Sequence, residues 1–378
     1  MELPEIVYHI GSFLSLHEIV FVFKDINRMF YRIAISIITD RYASDENLWR
    51  MIKTARFAEK ILENGRVDPS FNDNFAIRCA SESGHLELVC LLLRDFRVDP
   101  SAVWNYSVVF ASSRGHVNVV RELMDDQRVD PSADQNLALE LASRGGHHSV
   151  IRELLKDKRV NPSSRHNVSL IWASVCGHSQ TVRELMQDSR VDPSEDSSVC
   201  LRMASYHGHV DVIKELLKDA RTDPIQSGTN EEGMDSLRKA VDGYRSVAVM
   251  KVLLRDPRVD KNHKNEALVY ASSVGNLPVV REILMEEDLD PMYAGGTAFR
   301  LAGKNGHVDV ISELLRDERC DFAEGVFISV EEALSNGHVD AVERLFQNEL
   351  IRDVYSSKRQ CLSFERLFET TKSDAMQL

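Results

Sequence analysis

Ala111-Ser112-Ser113-Arg114-Gly115-His116-Val117-Asn118-Val119-Val120-Arg121-Glu122-Leu123-Met124 decides the fold, because the chain repeats this stretch. Its Gly-His pair returns every 31 residues at Gly84-His85, Gly146-His147, Gly177-His178 and Gly208-His209, and again at Gly306-His307 and Gly337-His338. A fixed period of this length marks an array of one supersecondary unit, in which each copy buries its apolar face only against its neighbours.

Aligned on that glycine, alanine stands four residues earlier in nine copies: Ala80, Ala111, Ala142, Ala173, Ala204, Ala240, Ala271, Ala302 and Ala333. Only the step from Ala204 to Ala240 departs from 31; it is 36. A larger apolar residue stands seven before the glycine (Ile77, Val108, Leu139, Leu170, Leu201) and a small one eight before (Ala76, Ser107, Ala138, Ser169). These three positions share one face of a short helix. The glycine ends that helix in the left-handed region, and an amphipathic second helix follows, its first turn marked by Pro278. A motif close to Arg97-Val98-Asp99-Pro100-Ser101 closes each copy, with proline forcing the preceding residue out of the helical region. The unit therefore reads helix, turn, helix, then an extended loop of roughly a dozen residues.

Composition narrows the function. The 378 residues carry 46 basic and 59 acidic side chains, a net charge of -13. That sign opposes a phosphate backbone, and no local basic stripe offsets it, so no nucleic acid is an expected partner. The apolar runs at 19–23 and 33–38 are too short to span a bilayer. Six cysteines without CxxC spacing read as reduced, mostly buried thiols. With an acidic start where a secretion signal would be basic, a cytoplasmic or nuclear monomer off the membrane is expected. No cofactor, metal or catalytic residue is expected. Single histidines on helices ~8–10 Å apart cannot converge on a zinc ion that needs ligands at ~2 Å, which leaves them a hydrogen-bonding role at the turn.

The quoted stretch resembles the core of an ankyrin repeat, and the resemblance recurs over residues 66–350. It implies an all-α ankyrin-repeat solenoid that binds another protein. Its units are shorter than the family's ~33 residues, and the family's Thr-Pro-Leu-His is replaced by Leu137-Ala138-Leu139-Glu140. The copy around Ala240 lacks Gly-His and carries extra residues near 226–233, a distortion read as a bend or a contact loop.

Position -6 from the glycine is expected to point away from the core and varies widely: Arg78, Val109, Glu140, Ile171, Arg202, Val269, Arg300 and Glu331. Among loop tips, Trp104 is the sharpest candidate, because large aromatics anchor interfaces; packing against the next loop is its alternative. Phe71, Arg165, His166, Asp196 and Tyr293 occupy comparable loops. The partner-binding set is thus Arg78, Trp104, Val109, Glu140, Arg165, His166, Ile171, Arg202, Tyr293 and Arg300. Phe110, Trp172 and Tyr270 border the core as structural residues. Arg97, Arg128, Arg159 and Arg190 are expected to meet Asp99, Asp130, Asn161 and Asp192 along the stack.

Residues 1–42 leave the repeat. Leu3-Pro4 opens a helix whose Ile6, Ile10, Phe13 and Leu14 fall on one stripe. This segment resembles an F-box in Leu3, Pro4, Ile6, Ile10 and Leu14, and Leu48-Trp49 is similar to its closing Leu-Trp. The resemblance implies that these five residues dock on the adaptor of a cullin-RING ubiquitin ligase while the array recruits the substrate. A bundle that caps the stack is the competing reading, with the array then a ligase-independent scaffold or an inhibitor that sequesters a partner. The expected division is an F-box-like bundle at 1–44, an array at 45–355 with a degenerate first copy and a distorted one near 225–260, and a tail or capping helix at 356–378.

Overall fold

The computed structural model describes residues 48–49, 52, 55–63, 67–225 and 235–358. Among these residues there are 20 helices and no strand. They fall into two compact units, the first ending at Asp192 and the second beginning at Pro193, inside one Val-Asp-Pro-Ser motif. The expected adaptor-docking residues Leu3, Pro4, Ile6, Ile10 and Leu14, the extra residues near 226–233, and residues 359–378 lie outside the described residues.

In the first unit, Ala55–Glu63 packs on Leu86–Leu93 as the second helix of the degenerate first copy would. Four pairs follow: Phe71–Glu82 with Leu86–Leu93, Ala102–Ser113 with Val117–Met124, Ala133–Gly145 with His148–Leu154, and Ser164–Val175 with Ser179–Met186. First helices stack on first helices and second on second. The second unit continues with Glu195–His207 and Val210–Leu216, the distorted Ser236–Asp242 and Ser246–Leu253, Lys261–Val274 and Leu277–Leu284, Tyr293–Lys304 and Val308–Leu314, and Phe322–Ser335 and Val339–Phe346. A last helix, Glu349–Lys358, lies on Phe322–Ser335. Its Tyr355 ring sits 6.0 Å from Phe327 and 5.4 Å from Phe346. It covers the flank where another first helix would stack, which an array end needs.

The alanine face forms the core: Ala111, Ala142 and Ala173 are fully buried, as are Val108 and Leu139. Position -3, which the sequence reading passed over, is small in seven of the nine copies, with Val241 in the distorted copy and Leu334 in the ninth as exceptions. Ser81, Ser112, Ser143, Ser174, Ser205 and Ser272 are all fully buried there. Glycine replaces them at Gly303, where a methyl group would lie 2.5 Å from the Ser329 carbonyl. Neighbouring backbones approach so closely there that only a small side chain fits. The valines of the closing motif, Val98, Val129, Val160 and Val191, are buried beneath the loop. The cysteines depart from expectation: Cys200 is buried, but Cys79 and Cys90 on helices, Cys176 just past a helix end and Cys320 in a loop are half-buried.

The Gly-His pair does two jobs. Gly115 has φ +77, and a methyl group there would lie 2.6 Å from Nδ1 of His147 in the next copy. The His147 Nε2 stands 3.0 Å from the Ser113 carbonyl. His116, His178, His307 and His338 each reach the carbonyl 34 residues upstream in the same way. Each histidine thus clamps the preceding turn, and the glycine must lack a Cβ to receive the ring. In the distorted copy Gly243-Tyr244 replaces this device, and the Tyr244 amide donates to the Tyr206 carbonyl at 2.8 Å.

The loop between copies is a run of tight turns and not an extended strand. Between Met124 and Ala133, Val129 N–H donates to Asp126 O, Ala133 N–H to Asp130 O, and Asn136 N–H to Ser132 O. The expected arginine–aspartate pairing along the stack is met at one step, where Arg159 Nη1 stands 3.9 Å from Asp130 Oδ1, and is otherwise corrected. Arg128 forks onto Asp126, two residues before it, at 2.6 Å, and reaches the Val98 carbonyl of the previous copy at 2.8 Å. Asp130 accepts from the Ser132 amide and hydroxyl beside that contact. Arg97, Arg159 and Arg190 repeat the arrangement with Asp95, Asp157 and Asp188. The turn brings residues two apart face to face, where an extended segment would have aimed the arginine at another copy.

Candidate interaction face

Five first helices open with three residues in the left-handed region: Asn72-Asp73-Asn74, Val103-Trp104-Asn105, Asp134-Gln135-Asn136, Arg165-His166-Asn167 and Ala294-Gly295-Gly296. Their φ values lie between 49° and 72°. Non-glycine residues adopt this region at a cost of about 1–2 kcal/mol each, so something outside the turn must hold it. The third residue supplies that hold. Oδ1 of Asn74, Asn105 and Asn136 accepts from the backbone amide of Asp99, Asp130 and Asn161, 25 residues on, at 2.7, 2.7 and 2.8 Å. These asparagines are buried. One side chain thereby fixes its own turn and the next copy's loop. The sequence carried the signal, an asparagine ten residues before the glycine, but an isolated asparagine reads as an ordinary turn residue.

The turn folds back over position -6, and this corrects the expectation that -6 is free surface. Val109 is 2% and Arg202 6% exposed. Helical side chains lean toward their own N-terminus, so position -6 meets the turn that precedes it. Arg78 donates to the Asn72 and Asp73 carbonyls at 2.8 and 3.0 Å, and Arg202 donates to the Asp196 carbonyl. Glu140 accepts from Arg165 at 2.6 Å. Ile171 is half-buried, and of the ten candidates only Trp104, Arg165, His166 and Arg300 are exposed. Burial pushes the Arg202 guanidinium down from its ordinary value.

What remains outward is a row of turn tips and the flank of the first helices. Trp104 is 71% exposed, which excludes packing against the next loop. Phe71 is 39% exposed. On the flank, Tyr106 and Phe110 meet edge to face at 5.2 Å, and the Arg144 guanidinium lies 4.7 Å over the Trp172 ring. These rings border solvent and core together, as expected for Phe110 and Trp172.

The second unit presents a groove of about 160 Å³ lined by Arg238, Glu266, Val269, Tyr270, Tyr293 and Thr297. The Tyr270 hydroxyl donates to Asp242 at 2.8 Å. Burial and that carboxylate push its pKa up to about 12, so it stays a neutral donor. Tyr293 thus belongs to a built surface, one that Arg300 does not line.

Residues 77–166 match the family model for ankyrin repeats in 3 copies. No curated protein matches the chain in sequence. Ankyrin repeats indicate a protein–protein interaction module, and proteins built of them are typically non-enzymatic. Among the described residues no helix is long and apolar enough to cross a membrane.

Proposed function

We propose that the ankyrin face captures a protein and that the amino-terminal segment hands this cargo to a cullin-RING ubiquitin ligase. The observation that carries the first half is the exposed row of turn tips centred on Trp104, on a backbone held rigid by the asparagine and histidine clamps. A rigid, preorganised face loses little freedom when it binds. The second half is supported by the Leu3, Pro4, Ile6, Ile10 and Leu14 pattern.

One observation favours the second reading, a bundle that caps the array. Leu48 is fully buried, Trp49 4% exposed and Ile52 1% exposed. The Leu-Trp similar to the F-box close is therefore core material. Under that reading the chain is a scaffold or inhibitor that works without a ligase.

Affinity purification of the full chain separates the two. Recovery of the adaptor and a cullin, lost on Leu3→Glu/Ile6→Glu/Ile10→Glu with helical content unchanged, supports recruitment. A cargo recovered equally by both chains, with no cullin in either, leaves the scaffold. Trp104→Asn with Arg300→Glu is expected to lose the cargo and keep the adaptor.

A further inference from the structure

Trp104 stands in the most demanding backbone of the first unit. Its φ of 54° follows Val103, also at 54°, and a β-branched or bulky residue in this region is a true outlier. The tip at the same register one copy earlier is Asp73 and one copy later Gln135. Strain of this kind persists where function asks for it. Packing does not account for the tryptophan, since it is 71% exposed and pairs with no other ring among the described residues.

The charge around it is specific. Asp73 in the preceding turn and Asp134 in the following one are both exposed and make no ion pair among the described residues. Of the nearby cations, Arg165 is paired with Glu140, and the half-buried Arg78 is held by the Asn72 and Asp73 carbonyls. Successive first helices stack ~8–10 Å apart; Asp73 holds the register of Trp104 one copy earlier and Asp134 that of Val103 one copy later. An indole face is the best aromatic partner for a cation, and the carboxylates of the two adjoining turns add attraction. The net charge of -13 draws the same class of ligand toward the surface.

We propose that the Val103-Trp104-Asn105 turn is the anchor for a lysine- or arginine-bearing segment of a protein partner, its cation over Trp104 between Asp73 and Asp134. This rests on the ankyrin face being the docking face and adds the chemistry of its ligand.

The test uses the full chain and fluorescein-labelled octa-arginine, with octa-glutamate and a Gly/Ser octamer beside it, read by fluorescence anisotropy near physiological salt. Octa-arginine binds the wild type and the other two peptides do not. Trp104→Asn weakens binding about tenfold while its Tm rises, since asparagine accepts the left-handed region. Asp73→Asn/Asp134→Asn weakens it about three- to tenfold. Asp309→Asn/Asp340→Asn, which removes the same charge from exposed sites in the second unit, leaves it unchanged. No binding of octa-arginine, equal binding by Trp104→Asn, or equal losses in the two aspartate pairs overturns the inference. The purification experiment reads the recruiting function separately, because its cargo is recovered or lost without reference to any peptide.

Discussion

The turns at 103–105 and 294–296 have the same backbone and opposite chemistry. Val103, Trp104 and Asn105 hold φ of 54°, 54° and 63°; Ala294, Gly295 and Gly296 hold 52°, 68° and 72°. Two glycines relieve the steric cost in the second turn. In the first that cost is kept, and an asparagine clamp and an exposed tryptophan stand in its place. Two further copies abandon the turn. Lys261–Val274 and Phe322–Ser335 begin as ordinary helices, with Asp260 and Asp321 accepting from the His263 and Glu324 amides. The left-handed turn is therefore not required to stack a first helix. It projects a tip, at the low steric cost of glycine in 294–296 and at the cost of strained residues in 103–105.

The comparison breaks most severely at Gly296. Gly296→Val places a β-branched residue at φ 72° with its Cβ 3.1 Å from Ile328. A loss of about 3 kcal/mol is expected by urea denaturation. Asn105→Ala leaves the Asp130 amide without its acceptor and removes a residue suited to the turn. About 2 kcal/mol is expected, and faster hydrogen exchange at the Asp130 amide would locate it. No change there would mean that the turn holds itself.

A smaller effect comes from the loop beside the turn. The Arg128 guanidinium holds the Asp126 carboxyl below its ordinary range. A carboxylate whose folded pKa is depressed contributes stability above its unfolded value, near 3.9, and loses it as pH falls through the folded one. Asp126→Asn is expected to cost about 1–2 kcal/mol at pH 7, with the deficit shrinking below pH ~4 when urea midpoints are compared. A deficit independent of pH would assign the cost to geometry and not to charge.

The smallest effect has the opposite sign. Val103→Gly relieves a strained residue and is expected to stabilise by about 1 kcal/mol, read as a higher Tm. A loss would show that the Val103 side chain, half-buried in the turn, gives more by packing than it costs by strain.

Much of the fold was legible because stacked helices demand recurring small residues, and recurrence survives in a one-dimensional string. The alanines, the glycines and the period placed the helices, and the odd spacing from Ala204 to Ala240 marked the distorted copy. The exposure of Trp104 was legible, and the burial at position -6 of Val109 and Arg202 was not. Val109 and Arg202 vary in type and therefore looked free, yet both lie beneath the turn. A helical wheel assumes that the helix starts where the pattern starts, and here a left-handed turn caps it instead.

Sequence alone determined that each copy is a helical pair with a small-residue face, since hydrophobic period and glycine placement act within a few residues. Only tertiary structure decided which arginine meets which aspartate, where each histidine reaches, and which tips face solvent. The arginine, asparagine and histidine contacts to backbone groups of the neighbouring copy join residues 25 to 34 positions apart, and their geometry exists only once those copies have docked.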